Sequence, residues 1–148
     1  MKKVLFVCSS GGHWVQMTKI MKELDFNEFH PLIGTCSNVD SFNSINIDRL
    51  PDFNKDKIIK TVSGAFTILK YILAKKPDIA ISTGAAPGIV ALFFVKLRGG
   101  KTIWIDSIAN TERLSLSGKM ALRFCSVVLT QWPHLADGNK IQYKGRVI

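Results

Sequence analysis

The clearest indication of the fold is the stretch Val4-Leu5-Phe6-Val7-Cys8-Ser9-Ser10-Gly11-Gly12-His13. Its apolar first half predicts a buried strand, and the small residues that follow predict a tight turn. The apolar run ends too early to be the core of a signal peptide. Beyond the turn, residues 14–24 repeat apolar side chains at helical spacing and predict a helix. The chain therefore begins with a strand, a glycine turn and a helix.

The same alternation continues along the chain. Further strands are predicted over 30–34, 45–50, 79–82, 101–106 and 126–130, and helices over 62–76, 87–97 and 116–124. Pro87 opens the second of these helices, where proline is favoured. The segment 36–60 is polar and poorly patterned, which predicts loops and one weak strand. Because alternating strands and helices form a parallel sheet covered on both faces, we expect a single α/β domain, 1–148, with a Rossmann-like open sheet.

Charge and cysteine content narrow the classes of partner. The net charge of +9 favours anionic partners such as lipid headgroups and diphosphate substrates. Nucleic acid is not expected, because the basic residues are not interleaved with aromatic residues in a known module. The three cysteines have unrelated spacings, which predicts reduced thiols packed as small apolar residues. We expect no metal site and no cofactor.

The loop after the first strand has the composition of an anion site. Ser10, Gly11 and Gly12 let backbone N–H groups approach a phosphate at the start of a helix, where the helix dipole favours negative charge. His13 beside them can bind a diphosphate or act as a general base, and it can equally be a capping or packing residue. A dinucleotide fingerprint is excluded because its third glycine is missing. A Cys-x5-Arg phosphatase loop is excluded because Trp14 stands where the arginine is required.

Two further loops follow strands and are expected at the same edge of the sheet. The second loop repeats the pattern of small residues before a helix and would shape a crevice for a phosphate-bearing ligand. Its candidate binding residues are Thr83, Gly84, Ala85, Pro87 and Gly88. The third loop includes Asp106 and Asn110, which offer a carboxylate and an amide to a sugar, a ribose or a diphosphate. A solvated loop is the alternative.

Several segments carry a resemblance to a known family. They are Ser10-Gly11-Gly12-His13, Pro77-Asp78 with Ser82-Thr83-Gly84, Leu114-Ser115-Leu116-Ser117-Gly118-Lys119, and Thr130-Gln131-Trp132-Pro133-His134-Leu135 with Tyr143-Lys144-Gly145-Arg146. Because these segments are spread along the chain, nearly its whole length resembles the membrane-associated subunit of the dolichol-pathway N-acetylglucosaminyltransferase. It also resembles the bacterial relatives of that subunit in capsule and exopolysaccharide synthesis. More distantly it resembles the amino-terminal half of the GT-B enzyme that adds N-acetylglucosamine to lipid I.

The resemblance implies a glycosyltransferase divided between two subunits. This chain would be equivalent to the amino-terminal half of a GT-B enzyme and would bind a polyprenyl-diphosphate-linked acceptor. A catalytic partner subunit would bind the UDP-sugar. The chain would act in polysaccharide or oligosaccharide biosynthesis, peripherally on the cytoplasmic face of the inner membrane, since it begins at the first strand without the anchor of eukaryotic members. A non-catalytic scaffold that activates the partner and a stand-alone nucleotide-binding enzyme stay open as alternatives.

The family often has Glu-Ser followed by an arginine where Asp106, Ser107 and Asn110 stand in this chain. Aspartate keeps the charge on a shorter arm, whereas Asn110 replaces a cation. These departures imply a different preference for the acceptor or the sugar.

A basic and apolar surface is expected to contact the anionic membrane. Helix 62–76 is predicted to bury an apolar face and to turn Ile68, Tyr71 and Lys75 outward. The face predicted to be buried consists of Val62, Ala65, Phe66, Leu69, Ile72 and Leu73. Lys119 and Arg123, one helical turn apart, would add to the membrane surface. An ordinary solvated helix face is the alternative.

Overall fold

The computed structural model describes residues 1–53 and 57–147. The strands are β1 (Lys3–Cys8), β2 (His30–Thr35), β3 (Ser41–Phe42), β4 (Ile45–Arg49), β5 (Ile79–Ser82), β6 (Lys101–Ile105), β7 (Val127–Thr130) and β8 (Ile141–Tyr143). The helices are α1 (Gly12–Lys22), α2 (Ile58–Lys75), α3 (Ala85–Leu97) and α4 (Leu116–Ala121), and a 3-10 turn covers Pro133–Leu135. Strands and helices thus alternate as predicted.

The strands form one open sheet in the order β3-β4-β2-β1-β5-β6-β7-β8. Neighbouring strands are parallel, except that the short β3 runs antiparallel to β4. The prediction of a Rossmann-like, mostly parallel sheet is confirmed. The chain proceeds from β1 to β2 on one side and later places β5 on the other side of β1, so the strand order reverses between β1 and β5. In open α/β sheets, ligands bind beyond the carboxyl ends of the strands at this reversal.

Helices cover both faces of the sheet, because the side chains of a strand alternate between two cores. On one face Phe6 of β1 packs with Met17 and Met21 of α1. On the other face Leu5 and Val7 belong to the larger core under α2, α3 and α4. The central strands are therefore buried on both sides, and only their ends can reach a ligand.

Some element boundaries differ from the sequence predictions. The segment 36–60 contains β3, β4 and the first residues of α2, whereas loops and one weak strand were expected; residues 54–56 of that segment lie outside the described residues. β8 was not predicted, and α3 begins at Ala85, before Pro87. α4 ends at Ala121 rather than Phe124, because the N–H groups of Arg123 and Phe124 bond to carbonyls only three residues back.

The orientation of α2 was predicted wrongly. Ile68, expected to face outward, is fully buried. Tyr71 and Lys75 on the same side are tied to Asp48 of β4, through a hydrogen bond of 2.8 Å from the tyrosine hydroxyl and an ion pair of 3.5 Å. Of the face predicted to be buried, Ile72 is buried, but three large residues are more than half exposed: Val62 (64%), Phe66 (55%) and Leu73 (51%).

Gly64 explains why α2 turns the side that carries Ile68 toward the core. A Cβ at Gly64 would overlap the ring of Phe53, so the helix approaches the core closely only through a residue without a side chain. Because apolar side chains lie on both the buried and the exposed sides of α2, its periodicity alone does not say which side faces the sheet. The consequence is an outer stripe, which we define as Ile58, Ile59, Val62, Phe66 and Leu73, that faces solvent. No helix among the described residues is long and apolar enough to cross a membrane.

Candidate functional site

A crevice lies at the carboxyl edge of the sheet where the strand order reverses. The turn after β1 leads into α1 and the turn after β5 leads into α3, so two of the predicted binding loops border this crevice. His13 and Thr83 join the two loops. Nδ1 of His13 lies 3.0 Å from the carbonyl oxygen of Thr83, and the hydroxyl of Thr83 donates to the carbonyl of His13 at 2.7 Å.

The contact with Thr83 fixes the position of one proton on the imidazole of His13. A carbonyl oxygen only accepts hydrogen bonds, so Nδ1 must carry a hydrogen and donate it. In the neutral ring, Nε2 is then the nitrogen with a free lone pair. A histidine oriented in this way by a third group is the usual form of a general base. The geometry is therefore suited to proton transfer at Nε2.

The backbone at Gly84 and Ala85 makes room for the imidazole. Gly84 has φ of 152°, and a Cβ on it would overlap the ring of His13. Ala85 follows with φ of 68°, in the left-handed region that side chains disfavour. A residue held in this region costs on the order of 1 kcal/mol or more, and such residues concentrate at functional sites. The turn is thus built around His13 at the expense of local backbone strain.

The start of α1 is open to solvent. Ser10, Gly11 and Gly12 are exposed, and Gly11 adopts φ of 69° as the helix begins. Within the described part of the chain, neither α1 nor α3 has a side-chain cap or an acidic residue in its first turn. Helix N–H groups without such a cap can bind an anion, and the helix dipole favours it. The phosphate site at Ser10, Gly11 and Gly12 stays a prediction with compatible geometry.

Asp106 is the centre of the third loop. It is only 2% exposed, and its carboxylate accepts four hydrogen bonds from the protein. Oδ1 accepts from Nε1 of Trp104 at 3.0 Å and from the hydroxyl of Ser115 at 2.6 Å. Oδ2 accepts from the backbone N–H of Ser115 at 2.9 Å and from Nδ2 of Asn110 at 3.2 Å. Asp106 thus connects β6, the loop and the start of α4, and its contact with a substrate stays a prediction.

Ser115 and Gly118 bring α4 close to this carboxylate. Ser115 caps the helix, since its hydroxyl oxygen accepts from the N–H of Gly118 at 2.9 Å. A Cβ at Gly118 would lie only 2.7 Å from Oδ1 of Asp106. The Ser-x-x-Gly part of the Leu-Ser-Leu-Ser-Gly-Lys segment therefore positions α4 against Asp106.

Two buried amides brace the third loop from the other side. Nε2 of Gln131 donates to Oε1 of Gln16 at 2.5 Å and to the carbonyl of Asp106 at 3.0 Å. Nε2 of Gln16 donates in turn to the hydroxyl of Ser107 at 3.1 Å. The indole N–H of Trp132 donates to the backbone of the same loop at 2.7 Å. The Gln-Trp-Pro segment therefore ties the loop to α1, the helix that carries His13.

These contacts enclose a pocket of about 150 Å³ at the crevice. The predicted site residues that line it are His13, Thr83, Gly84, Ala85, Asp106 and Asn110. Ser107 of the third loop lines it as well. Sequence reasoning did not propose the other lining residues as binding residues; these are Trp104, Ser115, Leu116 and Ser117. The capping pattern of Ser115 and Gly118 was the signal that could have found the last three. The predicted residues that do not line this pocket are Ser10, Gly11, Gly12, Pro87 and Gly88.

Pro87 and Gly88 have a packing role in α3. Both are buried. A Cβ at Gly88 would overlap the hydroxyl of Ser82, so the glycine allows α3 to lie close to β5. Through this packing they support the second loop.

The residues predicted to contact the membrane divide into two groups. Lys119 and Arg123 are exposed. Ile68 lies in the core, and Tyr71 is half-buried; burial and the hydrogen bond to Asp48 raise the pKa of Tyr71 well above its usual value. The predicted outward face of α2 is therefore not a membrane surface.

The thiols take no part in the site. Burial raises the pKa of Cys8 to about 11, that of Cys36 to about 12 and that of Cys125 to about 11. All three are free and stay protonated near neutral pH, so they behave as small apolar groups. No group of three or more His, Cys, Asp or Glu side chains in 1–53 and 57–147 could hold a metal ion.

A protein family matches most of the chain. The family described as "Oligosaccharide biosynthesis protein Alg14 like" matches residues 54–147. Among curated proteins, the UDP-N-acetylglucosamine transferase subunit ALG14 of Yarrowia lipolytica is 24% identical over 163 aligned positions, which span 91% of this chain and 76% of the relative.

Solved structures agree on the fold. MurG of Acinetobacter baumannii superposes with a TM-score of 0.75 at 13% identity, over 97% of this chain and 46% of MurG. A UDP-N-acetylglucosamine 2-epimerase from Rickettsia bellii superposes with a TM-score of 0.71 at 10% identity, over 98% of this chain and 45% of the epimerase. The chain spans about half the length of these structures. The predicted equivalence to half of a GT-B protein is confirmed at the level of the fold.

Proposed function

The chain belongs to the Alg14-like family of oligosaccharide biosynthesis proteins, and from that premise we propose that it is the acceptor-binding subunit of a split glycosyltransferase. The enzyme would move a sugar from a UDP-sugar to a polyprenyl-diphosphate-linked acceptor. A curated relative bears the name of a UDP-N-acetylglucosamine transferase subunit, which supports both the reaction class and the division into subunits.

The observation that carries the proposal is the junction of His13 and Thr83 at the strand-order reversal. It places an oriented imidazole on a pocket at the carboxyl edge of the sheet, where α/β proteins bind their ligands. The exposed start of α1 at Ser10, Gly11 and Gly12 lies on the same loop and would receive the acceptor diphosphate. Lys and Arg residues exceed Asp and Glu by nine in the whole chain, which favours such an anionic ligand.

His13 would act as the general base. The acceptor hydroxyl would attack the anomeric carbon of the UDP-sugar and form the new glycosidic bond, while the bond from that carbon to the UDP oxygen breaks and UDP leaves with the electron pair. The hydroxyl proton would pass to Nε2 of His13, whose Nδ1–H remains bonded to Thr83. Asp106 would act as a positioning residue, since protein donors already surround its carboxylate.

The donor would be held by a partner subunit. In a GT-B enzyme the active site lies between two Rossmann-like domains, and this chain is equivalent to about half of the solved structures that it matches. The pocket at the crevice would then face the partner, which would bring the UDP-sugar to the acceptor hydroxyl.

The outer stripe of α2 would contact the cytoplasmic face of an anionic membrane. It replaces the face predicted from sequence, and its apolar side chains are widely exposed, as is usual for interaction surfaces. Lys70 lies at its edge, with Nζ 4.8 Å from the centre of the Phe66 ring. An apolar stripe flanked by lysine has the composition of a helix that lies in a membrane interface.

Flotation with phosphatidylglycerol vesicles tests this surface. Phe66→Glu should abolish flotation, because it places a charge among the side chains that enter the lipid. Thr67→Glu adds the same charge outside the stripe, on an exposed position, and should float nearly as well as the wild type. Equal flotation of wild type and Phe66→Glu would show that the stripe has another role.

A transferase assay on membranes tests the function itself. The chain, its candidate partner and both together would be incubated with radiolabelled UDP-N-acetylglucosamine and a polyprenyl-diphosphate acceptor. Product is expected only when both are present, and His13→Ala in the complex should lower kcat by about 10²–10⁴. Turnover by this chain alone would contradict the split enzyme.

A scaffold without catalytic groups is the second candidate, and one observation favours it. His13 and Asp106 are the residues with ionisable side chains among those that line the pocket, and the Asp106 carboxylate is held by the protein. If the complex of partner and His13→Ala turns over normally, all catalytic groups lie in the partner.

A further inference from the structure

An apolar groove lies between α2, α3 and α4 on the surface of the protein. It has a volume of about 320 Å³, and its walls include Ala65 of α2, Ile89, Val90 and Phe93 of α3, Met120 of α4, and Phe124. The rings of Phe93 and Phe124 meet edge to face, with centroids 5.4 Å apart. Since all of these side chains are apolar, the groove can recognise its occupant only by burying hydrocarbon.

The groove continues the polar pocket along the same two helices. Ala85 and Leu116 line the pocket near the starts of α3 and α4, whereas Ile89 and Met120 line the groove. Each groove residue follows its pocket residue by four positions, which corresponds to about one turn, or roughly 6 Å, along a helix. One elongated molecule can therefore occupy the pocket and the groove together.

Large apolar side chains in the groove are left uncovered by the protein. Phe93 is 43% exposed and Met120 is 47% exposed. Both side chains line the groove. Exposed apolar surface of this kind, contiguous with a polar pocket, fits a ligand that has a polar head and a hydrocarbon tail.

We propose that the groove binds the first isoprene units of the acceptor, while the acceptor's diphosphate and sugar lie at the crevice that the start of α1 and the polar pocket share; this proposal rests on the proposed function. A hydrocarbon chain attached to the diphosphate needs an apolar route away from the crevice, and the groove begins within one helical turn of it. Ala65 of the groove precedes Phe66 of the outer stripe in α2, so a chain that leaves the groove there reaches the side proposed to face the membrane. Branched isoprene units match walls of aromatic and branched side chains.

Photolabelling of the full chain tests the groove without a partner or a sugar donor. The probe is a farnesyl diphosphate analogue with a diazirine at the end of its hydrocarbon chain, and labelled peptides are identified by mass spectrometry. Label is expected on the peptides that contain Val90–Phe94 and Met120–Phe124. Unlabelled farnesyl diphosphate should compete, whereas inorganic diphosphate should compete only weakly because it has no chain to bury.

Filling the groove provides the matched variants. Met120→Trp should weaken labelling on the order of tenfold or more, because each methylene kept out of an apolar site weakens binding about fourfold. Val90→Trp is the second groove variant, should Met120→Trp fail to fold. Leu97→Trp adds the same bulk to α3 at a 68% exposed position outside the groove and should leave labelling unchanged.

Three labelling outcomes would overturn the proposal. The first is equal labelling of wild type and both groove variants. The second is label concentrated on the outer stripe of α2. The third is equal groove labelling by a diazirine phospholipid in vesicles, which would make the groove part of the membrane surface. Dimers linked through the groove would instead assign it to a second copy of the chain. If transfer fails in the membrane assay while groove labelling persists, the proposed reaction is wrong and the lipid site stands.

Discussion

Replacing Asp106 with alanine tests whether a single carboxylate organises the site. The substitution removes the acceptor of four hydrogen bonds. The side chains of Asn110 and Ser115 are half-buried and can turn toward water. The indole N–H of Trp104 and the backbone N–H of Ser115 cannot, because Trp104 is 1% exposed and Ser115 is fixed at the start of α4. An orphaned buried donor costs about 1–3 kcal/mol, so two of them predict a loss of roughly 2–6 kcal/mol.

Urea unfolding followed by tryptophan fluorescence measures this loss. Asp106→Asn keeps one oxygen acceptor but turns an amide NH₂ toward the donors of the other oxygen, so we expect a smaller loss than for alanine. Asp40→Ala removes an exposed carboxylate and should stay within about 0.5 kcal/mol of the wild type. A free energy of unfolding for Asp106→Ala within about 1 kcal/mol of the wild type would show that these hydrogen bonds do not stabilise the fold. Asp106 would then be available to a ligand rather than to the fold.

Three further predictions concern the second loop and the thiols. Gly84→Ala should lower kcat of the assembled enzyme on the order of a hundredfold, because the added methyl group displaces His13. Gly99 also has a positive φ but has open space around it, so Gly99→Ala should lower stability and leave kcat unchanged. Ala85→Gly should raise the unfolding free energy by up to about 1 kcal/mol, because φ of 68° is strained for alanine; an unchanged or lower value in urea unfolding would contradict the strain. Burial raises the pKa of the Cys8 thiol from 9.0 to about 11 in the folded state, so above pH 9.0 the thiol ionises first in the unfolded state. The contribution of this thiol to the free energy of unfolding is therefore complete below pH 9.0 and is lost as the pH rises from 9.0 to about 11. Cys8→Ala should remove about 2–3 kcal/mol of this decrease in the free energy of unfolding, measured by urea titration. An equal pH dependence in both proteins would show that the pKa of Cys8 is not raised.

The parts of the fold that could be predicted are those determined by local sequence. β5 was predicted with its observed ends, because Pro77 and Asp78 precede it and Gly84 follows it. The parallel, open character of the sheet followed from the alternation of strands and helices. α2 was predicted to be a helix, but its orientation depends on a contact between Gly64 and Phe53 that no pattern within the helix records.

The same distinction applies to the site. Topology alone places the loops of His13 and Thr83 at one edge, and the structure brings them into contact. α4 returns to the crevice because Ser115 hydrogen-bonds to Asp106, nine residues earlier in the chain. No local sequence pattern links these two residues. For that reason the role of Ser115 was missed, and the hydrogen bonds that hold Asp106 to the protein were not predicted.

Binding measurements on the isolated chain determine whether the acceptor site belongs to this subunit. A polyprenyl-diphosphate-linked sugar in nanodiscs and UDP in solution would each be titrated against this chain, and the same two ligands against the partner subunit. We expect this chain to bind the lipid-linked acceptor and not UDP, and the partner to bind UDP. Saturable binding of UDP by this chain, with no binding of the acceptor, would contradict the assignment of the acceptor site to these residues.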